Sequence, residues 1–146
     1  LHFYNNTVLH NSTQAQAWYM ALFDMPTAQQ KVDARSNLFI NQGTTQMRIG
    51  HEAGTIEFNG SNWISRDWAE AAPTSSVKVA VKGKLPSQPA AGLGPDLRPR
   101  PGAAGTDLAD SPADLPPVGY QFAEPAGIVK RPVAGRGPDL GAFELK

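Results

Sequence analysis

Cysteine is absent from this chain, which excludes a disulfide framework and any thiolate metal site. Charge of one sign is missing as well: 13 basic and 13 acidic residues give a formal net charge of zero. No run of like charge exceeds two residues. Phosphate binding needs clustered cations, so nucleic acid and anionic membrane are poor partners for such a surface. No apolar run approaches the ~20 residues of a membrane-spanning helix. Glycine and proline, by contrast, are plentiful, with 14 and 13 residues in a chain of 146. That excess over ordinary usage favours turns and short strands over long helices. The length suffices for one domain with a real core.

What the chain does have is a phrase that recurs. It reads Asn6-Thr7-Val8-Leu9, then Asn37-Leu38-Phe39-Ile40, then Asn62-Trp63-Ile64, an Asn ahead of each strand-like apolar run. The Asn residues stand 31 and then 25 residues apart, a spacing that predicts stacked coils. Asn tolerates the left-handed conformation of tight corners. Stacked Asn residues at equivalent corners can also hydrogen-bond their amides from coil to coil. Asn6, Asn37 and Asn62 are therefore read as a structural ladder, with the apolar residues after them, Trp63 included, phased toward a shared core.

Composition divides the chain near residue 84. Eleven of the 13 prolines and nine of the 14 glycines lie in 85–146, whereas every Trp and Met lies before it. Residues 1–84 are predicted to form coils and 85–146 an irregular segment, since Pro removes a ladder donor and Gly weakens a strand. The predicted strands are Phe3–Tyr4, Thr7–His10, Trp18–Asp24, Lys31–Ala34, Leu38–Ile40, Gln46–Ile49, Thr55–Phe58, Trp63–Ser65 and Val77–Val81. Residues 14–25 leave two readings open. Trp18, Ala21, Leu22 and Met25 fit a helical stripe, and Thr13 with Gln16 resembles a capping box. Strand is preferred because a thin coil has no room for three helical turns.

Phe3-Tyr4-Asn5-Asn6-Thr7-Val8-Leu9 and Ala34-Arg35-Ser36-Asn37-Leu38-Phe39-Ile40-Asn41 resemble successive coils of right-handed parallel β-helix proteins of the pectate-lyase-like superfamily. Pro95-Asp96-Leu97-Arg98-Pro99-Arg100-Pro101-Gly102 is similar to the stretch after the last coils of many bacterial exported members. Pro138-Asp139-Leu140-Gly141-Ala142-Phe143-Glu144 resembles their "DLGA-aromatic-E" ending. The resemblance implies an all-β fold: the last two or three coils of a right-handed parallel β-helix over 1–84. Residues 85–146 would follow as an irregular cap on its end and side, with Phe143 and Leu145 as anchors. It further implies a C-terminal piece of a longer, secreted or cell-surface bacterial protein, monomeric, whose partner is a polysaccharide or cell-surface glycan. The activity implied is that of a polysaccharide lyase or glycoside hydrolase with its active residues mostly upstream. The alternative is a non-catalytic, adhesin-like surface protein. Ca²⁺ would belong to the full-length protein, and no cofactor to this part of it.

Elimination at a polyuronate needs a base, usually Arg or Lys in such enzymes, and Ca²⁺-binding carboxylates that acidify the proton removed. Asp33 and Arg35 alternate on one strand face, and Arg48 with His51 and Glu52 forms a second polar group. Asp33, Arg35 and Arg48 are thus the catalytic candidates, although a solvated strand face explains each of them as well. His51-Glu52 lacks the second His of a zinc motif, so no metal site is read from it. Aromatic faces stack on sugar rings, which makes Tyr19 and Trp68 the candidate substrate platform.

An open end of stacked coils exposes unpaired backbone and apolar core. Deleting residues 138–146 is therefore expected to lower solubility and drive association. A truncated protein that stays monodisperse in size-exclusion chromatography would contradict that role for the tail.

Overall fold

Period-two alternation decides the first sheet. In Lys31-Val32-Asp33-Ala34-Arg35, Val32 and Ala34 are buried while Lys31, Asp33 and Arg35 are not, the signature of a strand with one face on a core. The computed structural model describes residues 1–11, 13, 21–44, 47–65, 68–71, 75–83, 87–88, 94, 98, 100–103, 106, 109, 113–123, 127–133 and 135–144. Among them the fold is all-β, without a helix. The first sheet holds β1 (His2–Tyr4), β4 (Lys31–Arg35), β7 (Thr55–Phe58) and β10 (Lys78–Val81). The second holds β2 (Thr7–His10), β5 (Leu38–Asn41), β8 (Trp63–Ser65) and β11 (Ser87–Gln88). The third holds β3 (Ala21–Met25), β6 (Met47–Glu52) and β9 (Trp68–Ala71).

All three sheets are parallel, and each strand pairs with the strand three places on. The chain therefore visits the three sheets in turn and then returns to the first. β3 settles residues 21–25 as strand, while residues 14–20, and with them the rest of the stretch that reads equally as helix, lie outside the described residues. Beyond the coils, β12 (Tyr120–Phe122) and β13 (Ile128–Lys130) form an antiparallel pair.

One core is shared by the three sheets. Val32, Ala34, Ile56 and Phe58 come from the first, Phe39 and Ile64 from the second, and Phe23, Met25 and Ile49 from the third. Phe3 binds the cluster together, edge-on to Phe23 at 5.1 Å and stacked on Phe39 at 6.2 Å between ring centroids. Such pairs add about 0.5–1.5 kcal/mol beyond the area they bury.

The second sheet is buried on both faces. All four residues of β5 are buried, and the face opposite Phe39 and Ile64 carries Leu38, Ile40 and Trp63 packed on Leu140. Trp63, for which core packing or a cap is the expected role, packs on the tail at Leu140, on the face opposite Phe39 and Ile64. Among the described residues its indole Nε1 has no hydrogen-bond partner.

The tail reaches this face because its ending is built to lie against a strand. Gly141, at φ 86°, sits where a Cβ would meet Thr7 Oγ1 at 2.5 Å and Leu38 at 2.9 Å, so glycine alone permits the approach. The Gly141 N–H donates to Ser36 O at 2.8 Å and the Ala142 N–H to Thr7 Oγ1 at 3.0 Å. Behind it the buried Arg131 donates to Glu144 Oε1 at 2.6 Å, Gly141 O at 3.0 Å and Asp139 O at 2.9 Å. A buried charge persists only when paired and hydrogen-bonded in this way. Leu140 is the apolar anchor of the segment. Phe143 lies under the Arg98 guanidinium at 5.0 Å, and Leu145 falls outside the described residues.

The three Asn residues hold the corner between the first and second sheets. Asn37 Nδ2 donates to Asn62 Oδ1 at 3.0 Å, and Asn6 Nδ2 to Asn37 Oδ1 at 3.2 Å. The same oxygens accept the backbone N–H of Asn37 at 3.2 Å and of Asn6 at 2.9 Å. Each inner amide also reaches to the first-sheet strand one coil earlier, Asn37 to Phe3 O of β1 at 2.8 Å and Asn62 to Ala34 O of β4 at 3.0 Å. The left-handed conformation is taken by their predecessors Asn5 (φ 54°) and Ser36 (φ 56°), and by Gly60 (φ 59°), not by the ladder residues themselves.

Asn37 is wholly buried, so its loss strands donors and acceptors on both neighbouring coils. Asn37→Ala is expected to cost about 2–4 kcal/mol in urea unfolding. Asn37→Asp should be less stable at pH 7 than at pH 4, because only a protonated carboxyl can donate to Phe3 O. A loss below about 0.5 kcal/mol for the alanine variant would remove the ladder from the account of stability.

Candidate functional site

The outward side chains of the first sheet form a ladder of charges. His2, Asp33 and Glu57 stand side by side through the strand registers His2↔Asp33 and Asp33↔Glu57. In-register strands lie only ~4.8 Å apart, so two adjacent carboxylates repel unless each is neutralised. Asp33 accepts from Arg35 Nη2 at 2.7 Å and Nε at 3.0 Å, from Asn59 Nδ2 at 2.7 Å, and meets His2 Nδ1 at 3.2 Å. Glu57 Oε1 lies 2.8 Å from Lys82 Nζ and 2.9 Å from Lys31 Nζ.

Those partners set the protonation states. Arg35, seconded by Asn59, holds the Asp33 carboxyl down to about 2. Lys82 and then Lys31 hold Glu57 at about 2. Asp33, and after it Asp114, raise Arg35 further above its ordinary value. Asp33, Glu57 and Arg35 therefore keep their charged forms near neutrality.

Arg35 has a second carboxylate. Its Nη1 donates to Asp114 Oδ1 at 2.9 Å, an ion pair that brings the segment after residue 112 against the first sheet. Across the strand, Arg35 is in register with Tyr4. Tyr4 and Asn5 form one wall of a cleft of about 400 Å³, whose facing wall includes Leu115, Pro116, Pro117 and Val118. The Arg35–Asp114 ion pair thus lies next to the cleft lining, beside Tyr4 in register and between Ala113 and Leu115 along the chain.

The sequence candidates scatter over the fold. Asp33 and Arg35 are adjacent on the first sheet, but Arg48 lies on β6 of the third, in register with Ala21 and Ala69. No hydrogen bond or ion pair joins Arg48 to the other two among the described residues. Trp68 opens β9 opposite Met47, its side chain outside the described set together with the whole of Tyr19. Asn6, Asn37 and Asn62 are engaged in the corner ladder described above.

Tyr4 escaped notice in the sequence because it falls inside a repeat phrase and reads as strand filler. The outward phase relative to Phe3 was the available signal. A second grouping was half visible, since His51 and Glu52 stand together in the sequence and Asp24 does not. Asp24 on β3 and His51 and Glu52 on β6 each bring one ligand atom within 4.8 Å of the others, with His51 Nδ1 3.1 Å from Asp24 Oδ1. Two carboxylates and an imidazole are donors that a divalent cation accepts, although a His–carboxylate pair also accounts for this contact.

Because folding lowers the Asp33 and Glu57 values from 3.8 and 4.5 to about 2, the unfolded chain binds protons first. The stability from these pairs is present above about pH 4.5 and lost as pH falls toward 2. Thermal unfolding is expected to show a melting temperature that declines over that window, with a shallower decline in Asp33→Asn. An identical decline in the variant would detach Asp33 from it.

Compared with known proteins, the chain matches no protein-family model, no curated protein and no solved structure.

Proposed function

We propose that this is part of an exported, right-handed parallel β-helix protein that acts on or binds polysaccharide, and that the described coils bind an acidic glycan on the first sheet. Three features support the helix. Strands pair three places on in all three sheets, the corner amides stack, and crossovers between parallel strands of one sheet are right-handed in about 98% of cases.

The observation that carries the binding reading is the register of Tyr4, which lines the cleft, with Arg35 on the neighbouring strand. An aromatic face stacks on a sugar ring, and a guanidinium takes a carboxylate through charge-assisted hydrogen bonds. The surrounding face carries Lys31, Arg35, Lys78 and Lys82 against Asp33, Glu57 and Asp114. With Lys31, Lys82 and Arg35 already paired, the face binds and orients while lyase or hydrolase chemistry, together with Ca²⁺, belongs to other coils of the full-length protein. A secreted or cell-surface location follows from the same reading. No helix among the described residues is long and apolar enough to cross a membrane.

Isothermal titration of the chain with polygalacturonate and with a neutral glucan separates the readings. Arg35→Ala and Tyr4→Ala are each expected to weaken uronate binding about tenfold or more, with native circular dichroism. Equal affinity for the neutral glucan, or no effect of either substitution, would reject the site. Absorbance of unsaturated products, measured with the full-length protein on the same polymer, distinguishes the lyase from the non-catalytic surface protein.

A further inference from the structure

Asp114 places a carboxylate where the proposed ligand would place its own. The guanidinium of Arg35 is fixed in plane by Asp33, through Nε and Nη2, which leaves Nη1 aimed outward at Asp114 Oδ1. Arg35 is mostly covered, with 19% of its side chain exposed, whereas the Asp114 side chain is 61% exposed. An ion pair with so exposed a partner contributes little, so exchange for another carboxylate is cheap.

Among the described residues no backbone hydrogen bond ties 113–118 to the sheets. Pro116 and Pro117 lack donors and stiffen this segment. Its far end is anchored, since Gly119 O accepts the Arg131 N–H at 2.9 Å and β12 follows directly. The segment supplies Ala113, Leu115, Pro116, Pro117 and Val118 to one wall of the cleft, so its departure opens the space beside Tyr4.

We infer that residues 113–118 form a strap that occupies the carboxylate position of Arg35 through Asp114, and that a uronate displaces Asp114 and lifts the strap to reach the cleft. This rests on the glycan-binding reading above and adds its regulation. A site whose open form is only a fraction of the population binds more weakly by that fraction. Freeing the strap removes the handicap.

The test compares wild type with Asp114→Ala, and with Asp114→Asn as a near-isosteric control, using trigalacturonate and poly-glutamate as probes. Asp114→Ala is expected to bind trigalacturonate about two- to fivefold tighter, with Asp114→Asn close behind. In wild type, trigalacturonate should lower the NMR order parameters of the Ala113, Asp114, Leu115 and Val118 amides, while hydrogen-exchange protection of β4 and β7 is kept. Wild-type binding with unchanged affinity in Asp114→Ala, or raised strap order parameters on binding, would overturn the strap and leave the glycan site standing. A gain confined to poly-glutamate would make the ligand an acidic peptide and overturn the proposal. Absence of trigalacturonate binding in both proteins would remove the site and the strap together.

Discussion

The fold depends on holding parallel strands in register across coils of unequal length. Successive strands of one sheet are separated by two other strands and their corners, so nothing local sets which residue faces which. A slip by one residue would turn the whole apolar set of a strand to solvent. The corner amides resist that slip. Asn6, Asn37 and Asn62 bridge coils 31 and 25 residues apart, and they are satisfied only in one register, because buried amides left unpaired are costly. The coil lengths can therefore vary while the corner does not.

A second constraint follows from the first. Stacking the coils gives the second sheet an apolar inner face, and Leu38, Ile40 and Trp63 then leave its outer face apolar too. Sheets of this kind need cover on both sides. The ending Asp139-Leu140-Gly141-Ala142-Phe143-Glu144 provides it. Leu140 fills the face, Gly141 permits the backbone contact, and Glu144 pairs the buried Arg131 that gathers the segment's carbonyls. The tail is thus a structural layer of the protein, and its motif has a packing rationale independent of any activity.

The first sheet shows how such a scaffold displays charge. Parallel register stacks like residues over one another, which forces Asp33 and Glu57 together and requires Arg35, Lys31 and Lys82 to neutralise them. Each carboxylate is then held by its own cations, and the Arg35 guanidinium stands fixed by Asp33 and in register with Tyr4.

Most of the architecture was legible in the sequence. Alternation marked Lys31–Ala34 and Thr55–Phe58, and the spacing of three Asn residues pointed to the stacking, because local sterics and side-chain period act on neighbours along the chain. β9, β11 and the β12–β13 pair escaped, being short and set among Pro, Gly and polar residues, where only pairing partners make a strand. The candidate site was barely legible. Asp33 and Arg35 are two residues apart and visible as a pair, but Tyr4, Asp114 and the Asp24–His51–Glu52 grouping come from positions that only the return of the chain brings together. By itself the sequence determined the strand period, the repeat and the closing motif. The tertiary structure alone decided that Trp63 faces the tail, that Asn5 and Ser36 rather than the ladder residues take the left-handed corner, and that Arg35 meets Asp114 from 79 residues away. The reason is physical: burial, pairing and charge neutralisation are properties of neighbours in space.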